Sequence, residues 1–481
     1  MAMSNLLQDV EQLGLSRRKF LHNFYLCAGS VATAKLLTAC SSGRNLIGDL
    51  VDPNFESGFA TMGALLAANA DGIQLPAEFT SKEVAVFNEN PLTGANAPNG
   101  FNWHADPDGG GTFKTADGGW IYVSNAEIRD PLLTGGAPRE TFGVQLLGGV
   151  SALQFAANGD LIDAYTCQSN STTNCSGGAT PWGTWINGEE IVDGFMFECS
   201  PVKDGGDAVR LDRFGRKGHE MVSVDPDGKA IYHTEDAGGS DRFYRTVFND
   251  AAWPDGGRPD MSQGVLQVLS LTGFGDDSNY DSTSALAAAR IGPTPITWLN
   301  AVDDGSPQED VRLPQSTEFV GNEGVWYLDG FIFFSTKSDN NIWAIDRDGN
   351  TVESIFDGDG QEIQGSFADP SEPEMFGVDN IAMTLDGEML IVEDGGDMRC
   401  MVRLPDGRTI PLLRLPGNPS LTEVTGVAIS PAGDKIYVSG QRSLRNGVAP
   451  GTPATAGITY EITMPFTVRV DRPLAQAMPV S

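Results

Sequence analysis

The chain has 481 residues, among them 64 Asp and Glu against 31 Lys and Arg, so its formal net charge is −33. This acidic surplus excludes nucleic acid as a partner, because nucleic acid binding needs a basic surface. Asp-Gly turns recur among its 58 glycines, helix-length amphipathic segments are few, and 40% of the residues are hydrophobic. The composition indicates a folded chain of the all-β class rather than a disordered one.

The N-terminus has the order of residues found in a twin-arginine export signal. The motif Ser-Arg-Arg-Lys-Phe-Leu at 16–21 precedes a moderately apolar stretch at 24–37, and a charged segment followed by an apolar one is typical of such signals. An ordinary helix start with a basic pair is the alternative. We therefore expect residues 1–39 to be a signal that is read by the twin-arginine export machinery and then removed.

The apolar stretch ends in Leu-Thr-Ala-Cys at 37–40, which resembles the lipobox of bacterial lipoproteins. Cleavage there leaves Cys40 as a lipidated N-terminus, and a plain small-residue cleavage site is the alternative. These features predict a periplasmic or cell-envelope lipoprotein that a lipid on Cys40 holds to a membrane. Residues 40–75 are expected to form a tether with a short helix at 60–70, ahead of a folded domain at 76–470.

From about Gly118 onward, short β-rich runs recur, each bracketed by a turn that contains glycine. Such runs predict hairpins, which at irregular intervals over so long a chain form either a pair of sandwiches or a propeller. Loose repetition with long insertions favours the blades of a β-propeller. The stretch at 250–316, with a helical run at 284–290, is expected to be an insertion between blades. The β-rich runs lie at 119–123, 230–232, 331–334, 389–392 and 435–438.

Acidic residues stand at the edges of apolar strands, next to small or polar neighbours. In a propeller the innermost strand of each blade lines the central channel, so we expect one acidic residue per blade to converge on the axis. Carboxylates that converge in a partly dry channel repel one another unless they are protonated or bound to a cation. Oxygen ligands suit Ca²⁺, and also Mg²⁺ or Mn²⁺. For each residue taken singly, a solvated turn carboxylate is the alternative. The pattern occurs at 125–127, 189–190, 219–220, 234–236, 322–324, 378–380, 392–394 and 422–426.

Four cysteines lie beyond the predicted signal and its cleavage site, at Cys167, Cys175, Cys199 and Cys400. Cys167 and Cys175 flank a polar loop, and we predict a disulfide between them in an oxidising compartment. Zinc has little support, because zinc-binding cysteine pairs usually have a shorter separation. The sequence contains no G-x-S-x-G and no G-x-x-x-x-G-K-[ST], which removes the usual nucleophile elbow and phosphate-binding loop.

The run Asn-Cys-Ser-Gly-Gly-Ala-Thr-Pro-Trp-Gly-Thr-Trp at 174–185, followed by Glu189 and Glu190, resembles the signature of the PhoX-type alkaline phosphatases. The resemblance continues in the same order over about 118–442. It implies an exported phosphomonoesterase, built on a β-propeller with a calcium and iron cofactor in its channel. The further segments that resemble the family are 193–198, 215–220, 234–236, 243–245 and 423–426.

The resemblance also implies roles for individual residues. Glu220 and Arg245 are the candidate catalytic residues. A metal cluster of this kind holds the phosphoryl oxygens and orients or ionises the attacking oxygen. Arg216, Arg245 and Arg442 can hold a phosphate, with surface pairing to carboxylates as the alternative. The implied metal ligands are Glu189, Glu190, Glu220, Glu235, Asp236, Glu323, Asp379, Asp394 and Glu423.

One departure from the signature concerns the metal. The family's pattern has a cysteine, an iron ligand, where this chain has Gly188. Either Cys199 or Cys400 supplies a thiolate, or the site has oxygen ligands alone. We expect the second, because thiolate is a soft ligand and this site offers hard oxygens. The predicted cofactor is therefore Ca²⁺, and the case for Fe³⁺ is weaker.

The sequence thus predicts a metal-dependent hydrolase of small phosphate monoesters. Two alternatives use the same acidic channel. One is a calcium-dependent hydrolase of phosphodiesters or lactones, and the other is a non-catalytic, metal-stabilised binding protein of the envelope.

Overall fold

A computed structural model describes most of the chain from Glu56 onward. The predicted signal, Cys40 and the first part of the predicted tether lie outside the described residues. No described helix has the length and apolar character that crossing a membrane requires. The described residues are 56–92, 100–128, 140–141, 144–145, 147–236, 239–254, 256–275, 279–357, 375–417, 422–443 and 457–479.

The regular structure is mainly β-strand, in antiparallel sheets. The first strand along the chain is β1 (Thr80–Val86). Blade one contains β2 (Pro107–Lys114), β3 (Trp120–Ala126), β6 (Gly149–Phe155) and β7 (Leu161–Gln168), with the hairpin β4 (Glu140–Thr141) and β5 (Val144–Gln145) between β3 and β6. Blade two contains β8 (Asn174–Ala179), β9 (Trp185–Glu189), β10 (Met196–Cys199) and β11 (Val209–Leu211). Blade three contains β12 (His219–Asp225), β13 (Ala230–Glu235), β14 (Phe243–Val247) and β15 (Val265–Leu271).

The remaining blades follow the same plan. A connection between blades three and four contains α1 (Ser282–Ile291), β16 (Thr294–Asn300) and α2 (Gln308–Val311). Blade four contains β17 (Asn322–Leu328), β18 (Phe331–Thr336), β19 (Asn341–Asp346) and β20 (Thr351–Asp357). Blade five contains β21 (Val378–Met383), β22 (Met389–Glu393), β23 (Arg399–Arg403) and β24 (Thr409–Arg414). Blade six contains β25 (Val424–Ile429), β26 (Lys435–Gly440), β27 (Ile458–Thr463) and, outermost, β1.

The described residues therefore form six blades around a closed ring. The inner strands β2, β8, β12, β17, β21 and β25 each contact the next, and β25 contacts β2. Strand β1 pairs with β27, so strands from the N-terminal and C-terminal parts of the described residues complete the last blade. Strand β16 pairs with both β15 and β20 and joins blades three and four at their outer edge. Closure of this kind leaves few open strand edges, and the predicted β-propeller is confirmed.

Aromatic side chains fill the spaces between neighbouring blades. Phe334 of blade four stacks on Phe243 of blade three, with ring centroids 4.3 Å apart. Tyr122 of blade one stacks on Tyr437 of blade six at 4.8 Å. Pairs of this kind contribute about 0.5–1.5 kcal/mol each beyond the burial of their surface. These contacts hold neighbouring blades in place around the channel.

The predicted hairpins explain how five of the six described blades start. The β-rich runs named above fall on β3, β13, β18, β22 and β26, the second strands of their blades. The turn before β18 is Asp329-Gly330, with both φ angles positive at 44° and 81°. Such a turn matches the twist of a two-residue hairpin. The turn sequence thus sets the step from the inner strand to the second one.

Two expectations outside the blades differ from the structure. In place of a helix at 60–70 there is a 3-10 turn at Phe59–Thr61, and Phe59 and Ile73 are buried. Phe59, Ile73 and Leu75 therefore pack on the propeller, while most residues between Thr61 and Ala70 are exposed. The helical run expected at 284–290 is confirmed as α1, but the stretch at 250–316 also supplies β15 to blade three.

The predicted disulfide between Cys167 and Cys175 is wrong, since all four described cysteines are free. Cys167 lies on the outermost strand of its blade, where its thiol is 3.9 Å from the carbonyl oxygen of Pro201. Cys175 lies on the innermost strand of the next blade. The two cysteines therefore lie on an outer and an inner strand of different blades.

Candidate metal centre

The same irregularity occurs near the start of every inner strand. Two residues of the inner strand lie opposite one residue of the second strand, which is a β-bulge. In β12 the pairing passes from His219 with Glu235 to Val222 with His233, leaving Glu220 and Met221 in the bulge. The equivalent shifts occur in β2, β8, β17, β21 and β25. A bulge turns a side chain away from its regular direction.

In five blades the first residue of this bulge carries a carboxylate or a thiol. We call these five the bulge residues. In blade six the position is Gly426, where a Cβ atom would lie 2.6 Å from the carbonyl oxygen of Asp108. That blade supplies Glu423 from just before β25 instead. The bulge residues are Asp108, Cys175, Glu220, Glu323 and Asp379.

A second set of side chains lies beside them. The first residue of each inner strand pairs with a residue at the end of the second strand. The residue that follows this second-strand residue in the chain reaches the channel. We call these the strand-end residues of blades one to five. They are Glu127, Glu190, Asp236, Lys337 and Asp394.

The two sets form a connected run of possible metal ligands around the channel. Within each group, one ligand atom per residue lies within 4.8 Å of the others. Each group shares one bulge residue with the next group, so the ligand groups are connected from blade one to blade six. The groups are Asp108 with Glu127 and Cys175, Cys175 with Glu190 and Glu220, Glu220 with Glu323 and Asp379, and Asp379 with Asp394 and Glu423.

The electrostatics of the run call for a cation. Burial, with repulsion from Glu323 and Glu190, raises the pKa of Glu220 well above its ordinary value. Burial also raises the pKa of Asp379 to about 7, against the opposing effect of Lys337. The Oε2 atom of Glu220 is buried and has no hydrogen-bond partner. A buried carboxylate oxygen without a partner is costly, so a metal ion fits the residues present.

Cys175 brings a thiol to this run, which corrects the expectation of an oxygen-only site. The backbone carbonyl of Cys175 accepts a hydrogen bond of 3.0 Å from the side-chain amide of Asn125. That amide is held in turn by the indole of Trp185, which donates to Asn125 Oδ1 at 3.0 Å. Trp185, the last residue of the Trp-Gly-Thr-Trp motif, therefore helps to position the bulge at Cys175. Burial raises the pKa of this thiol, and repulsion from Asp108 adds to the effect.

Gly188 does not stand in the channel, so the departure at this position removes no ligand from the run. A Cβ atom on Gly188 would lie 2.2 Å from the Cβ atom of His219 in the next blade. The position faces the contact between blades two and three. Neither Cys199 nor Cys400 belongs to the groups of possible ligands among the described residues.

Glu189 and Glu235 are not brought into the run, although the resemblance implied that they bind metal. Glu189 accepts hydrogen bonds of 3.1 Å from the backbone N–H groups of Thr172 and Phe195. Glu235 accepts one of 2.9 Å from the N–H of Arg242 and one of 2.7 Å from Arg312 Nη2. Both carboxylates end a second strand and hold the loops beside it.

Of the three arginines considered for phosphate, the structure brings Arg442 to the channel. Its guanidinium nitrogens lie 3.4 Å from Glu127 and 3.5 Å from Glu423, and the side chain is 39% exposed. Arg245 lies on the third strand of blade three, where it donates to Gln267 and stacks on Trp298. Arg216 pairs with Asp193 at the surface. Arg245 is therefore dropped from the site.

The other ligands implied by the resemblance do meet in the channel, and four residues that it did not imply are added to them, of which Glu127 belongs to the acidic pattern at 125–127. Asp108 escaped prediction because its strand, Pro-Asp-Gly-Gly-Gly-Thr-Phe-Lys, lacks the apolar pattern of a strand. Its place before the hairpin into Trp120 was the available signal. The predicted residues found there are Glu190, Glu220, Asp236, Glu323, Asp379, Asp394 and Glu423, and the added ones are Asp108, Glu127, Cys175 and Lys337.

The fold and this site together define a six-bladed β-propeller with a buried acidic and thiol cluster in its channel. Residues 192–317 match the family model of alkaline phosphatase PhoX. The predicted resemblance to the PhoX-type phosphatases is confirmed by this match, which supports a phosphatase-type function. No match was found among curated proteins.

The chain is similar to solved structures to different degrees. PhoX of Pseudomonas fluorescens, in complex with the transition state analogue vanadate, is similar with a TM-score of 0.64 at 14% identity, over 84% of this chain and 98% of that one. A gluconolactonase from Xanthomonas campestris has a TM-score of 0.41 at 10% identity, over 84% and 95%. The calcium-binding regucalcin of Agrobacterium tumefaciens has a TM-score of 0.40 at 12% identity, over 78% and 94%.

Proposed function

We propose that this protein is an exported, metal-dependent phosphatase that hydrolyses phosphate monoesters at a metal cluster in the propeller channel. The observation that carries the proposal is the connected run of ligand groups, in which carboxylates and one thiol from successive blades lie within 4.8 Å of their neighbours. The family match at 192–317 supports phosphoric esters as the substrate class.

The ligand types favour two kinds of ion. Groups made only of carboxylates suit Ca²⁺, which takes six to eight oxygen ligands. The group of Cys175, Glu190 and Glu220 adds a soft thiolate and suits a transition metal such as iron. When bound, these ions supply positive charge for the phosphoryl oxygens. Ca²⁺ is therefore proposed for the oxygen groups, and Fe³⁺ beside Cys175.

The chain's own residues perform the remaining work. Arg442 stands at the channel with a partly exposed guanidinium, and its planar fork matches two phosphate oxygens. Its long contacts to Glu127 and Glu423 leave donors for an incoming ester. Glu220 presents its unpaired Oε2 atom toward the cluster and is retained as both ligand and catalytic residue. The bulges hold these groups in place before substrate arrives.

The proposal includes the cellular location predicted from the N-terminal segment. A twin-arginine signal at 1–39 and a lipid on Cys40 would deliver a folded, metal-loaded enzyme to the periplasm or cell envelope. Replacement of the Arg17-Arg18 pair by lysines tests this step. Retention of the protein in the cytoplasm is the expected result, and unchanged export would contradict it.

The activity is tested on purified protein with p-nitrophenyl phosphate and bis(p-nitrophenyl) phosphate. Each ester is offered with added Ca²⁺ and after treatment with EGTA, while elemental analysis gives the bound metals. We expect turnover of the monoester that EGTA removes and Ca²⁺ restores. Full metal occupancy with no turnover of either ester would contradict the phosphatase and favour a metal-stabilised binding protein. Preference for the diester would favour the phosphodiesterase alternative.

A further inference from the structure

Lys337 is the strand-end residue of blade four, at the position where the other four blades have carboxylates. Its Nζ atom lies 2.5 Å from Glu323 Oε1, 3.0 Å from Asp394 Oδ2 and 3.5 Å from Asp236 Oδ2. One of these carboxylates belongs to its own blade and one to each neighbouring blade. Lys337 therefore spans three consecutive blades on this side of the channel.

The ammonium group matches this corner in charge. Its nitrogen lies within 3.5 Å of one oxygen of each of the three carboxylates, and ammonium is a compact point charge, as a metal ion is. The Lys337 side chain is 30% exposed, whereas that of Glu323 is only 2% exposed. The ion pair is thus partly shielded from water, where its attraction is stronger than at the surface.

A neighbouring part of the channel differs. There Cys175, Glu190 and Glu220 form a ligand group, and Glu220 has a buried oxygen without a hydrogen-bond partner. Among the described residues, Glu190 and Glu220 form no ion pair with a lysine or arginine, whereas the carboxylates of the Lys337 corner already have a cation beside them.

We propose that Lys337 is a resident cation that fills the corner formed by Asp236, Glu323 and Asp394 in the metal-loaded protein as well. Divalent and trivalent ions then bind to the ligand groups around the channel, and Glu323 and Asp394 use their other oxygen atoms for these ions. This inference rests on the metal binding of the proposed function, though not on its phosphatase activity. It also predicts that a fresh ion site opens at this corner when the ammonium is removed.

The variant Lys337→Met tests this, because methionine keeps an unbranched side chain and lacks the charge. After dialysis against Ca²⁺, elemental analysis is expected to find about one more Ca²⁺ per chain than in the wild type. The matched control is Lys435→Met, which removes the ammonium 2.9 Å from Glu461 on the outer part of blade six. The control is expected to bind as many ions as the wild type. Equal Ca²⁺ content in Lys337→Met and the wild type overturns the inference.

A second measurement on the unmodified protein does not depend on the folding of a variant. Acetylation of Lys337 is followed by mass spectrometry with and without saturating Ca²⁺. We expect the same rate in both, because the ammonium stays in its corner. A severalfold faster reaction with Ca²⁺ would show that metal displaces Lys337 and overturns the inference alone. A wild type that binds no metal would contradict the proposed function as well.

Discussion

Adjacent carboxylates in this chain have different surroundings, as Glu189 and Glu190 demonstrate. Glu189 accepts two backbone hydrogen bonds of 3.1 Å, from Thr172 and Phe195. Glu190 belongs to the ligand group of Cys175 and Glu220. The one carboxylate holds loops together, and the other faces the channel. Sequence pattern treats them as equivalent.

The same substitution is expected to lower the stability of the fold at position 189 and the affinity for metal at position 190. Glu189→Gln turns one acceptor of a backbone N–H into a donor and lowers the free energy of unfolding by about 1–3 kcal/mol, with metal content unchanged. Glu190→Gln lowers metal affinity and kcat/KM by about tenfold or more, without destabilising the metal-free protein. Denaturant unfolding and elemental analysis measure both. Loss of metal in Glu189→Gln but not in Glu190→Gln would show that Glu189, and not Glu190, binds the metal.

Cys175 is expected to determine which metal binds beside it. Cys175→Ser replaces a soft ligand by a harder one, so iron content falls while calcium content is retained. The control is Cys167→Ser, which alters a thiol in contact with Pro201 and leaves both metals in place. Elemental analysis of the two variants provides the measurement. Equal losses of iron in the two variants would contradict a specific role of Cys175.

At the scale of the strand, the bulge is the device that builds the site. It recurs at the start of all six inner strands in the described chain. The hairpins were predictable because glycine turns and apolar runs are local signals. The bulges were not, because a bulge depends on how two strands pair. This is why Glu189 and Glu235 were predicted as ligands, and why Cys175 was predicted in a disulfide.

The contact between blades two and three explains why position 188 holds glycine. We expect Gly188→Cys to lower the free energy of unfolding by about 1–3 kcal/mol, because the new Cβ atom overlaps His219 and overpacking is destabilising. Iron content should not rise, since this position faces away from the channel. Thermal unfolding and elemental analysis measure the two effects. A stable variant with more iron would show that position 188 does reach the metal.

For the whole molecule, a closed ring brings together charges that are far apart in sequence. Asp108 and Glu423 stand at opposite ends of the domain, yet the closure of β25 on β2 places their strands side by side. The family resemblance supplied most of the carboxylates. It could not supply Lys337, whose role depends on the three blades that surround it.

The metal-free protein is expected to lose stability as pH rises. Burial raises the pKa of Asp379 to about 7 and raises those of Glu220 and Glu423. The folded state therefore binds more protons than the unfolded chain above about pH 4, so the free energy of unfolding falls from there through about pH 7. A shift of this size corresponds to a few kcal/mol, on the order of 1.4 kcal/mol per pKa unit.

Ca²⁺ should reverse the loss at pH 8, because it replaces the protons, and should add little at pH 5. Urea unfolding at both pH values, with EDTA or Ca²⁺, measures this. A metal-free protein as stable at pH 8 as at pH 5 would contradict the burial of these carboxylates around one channel.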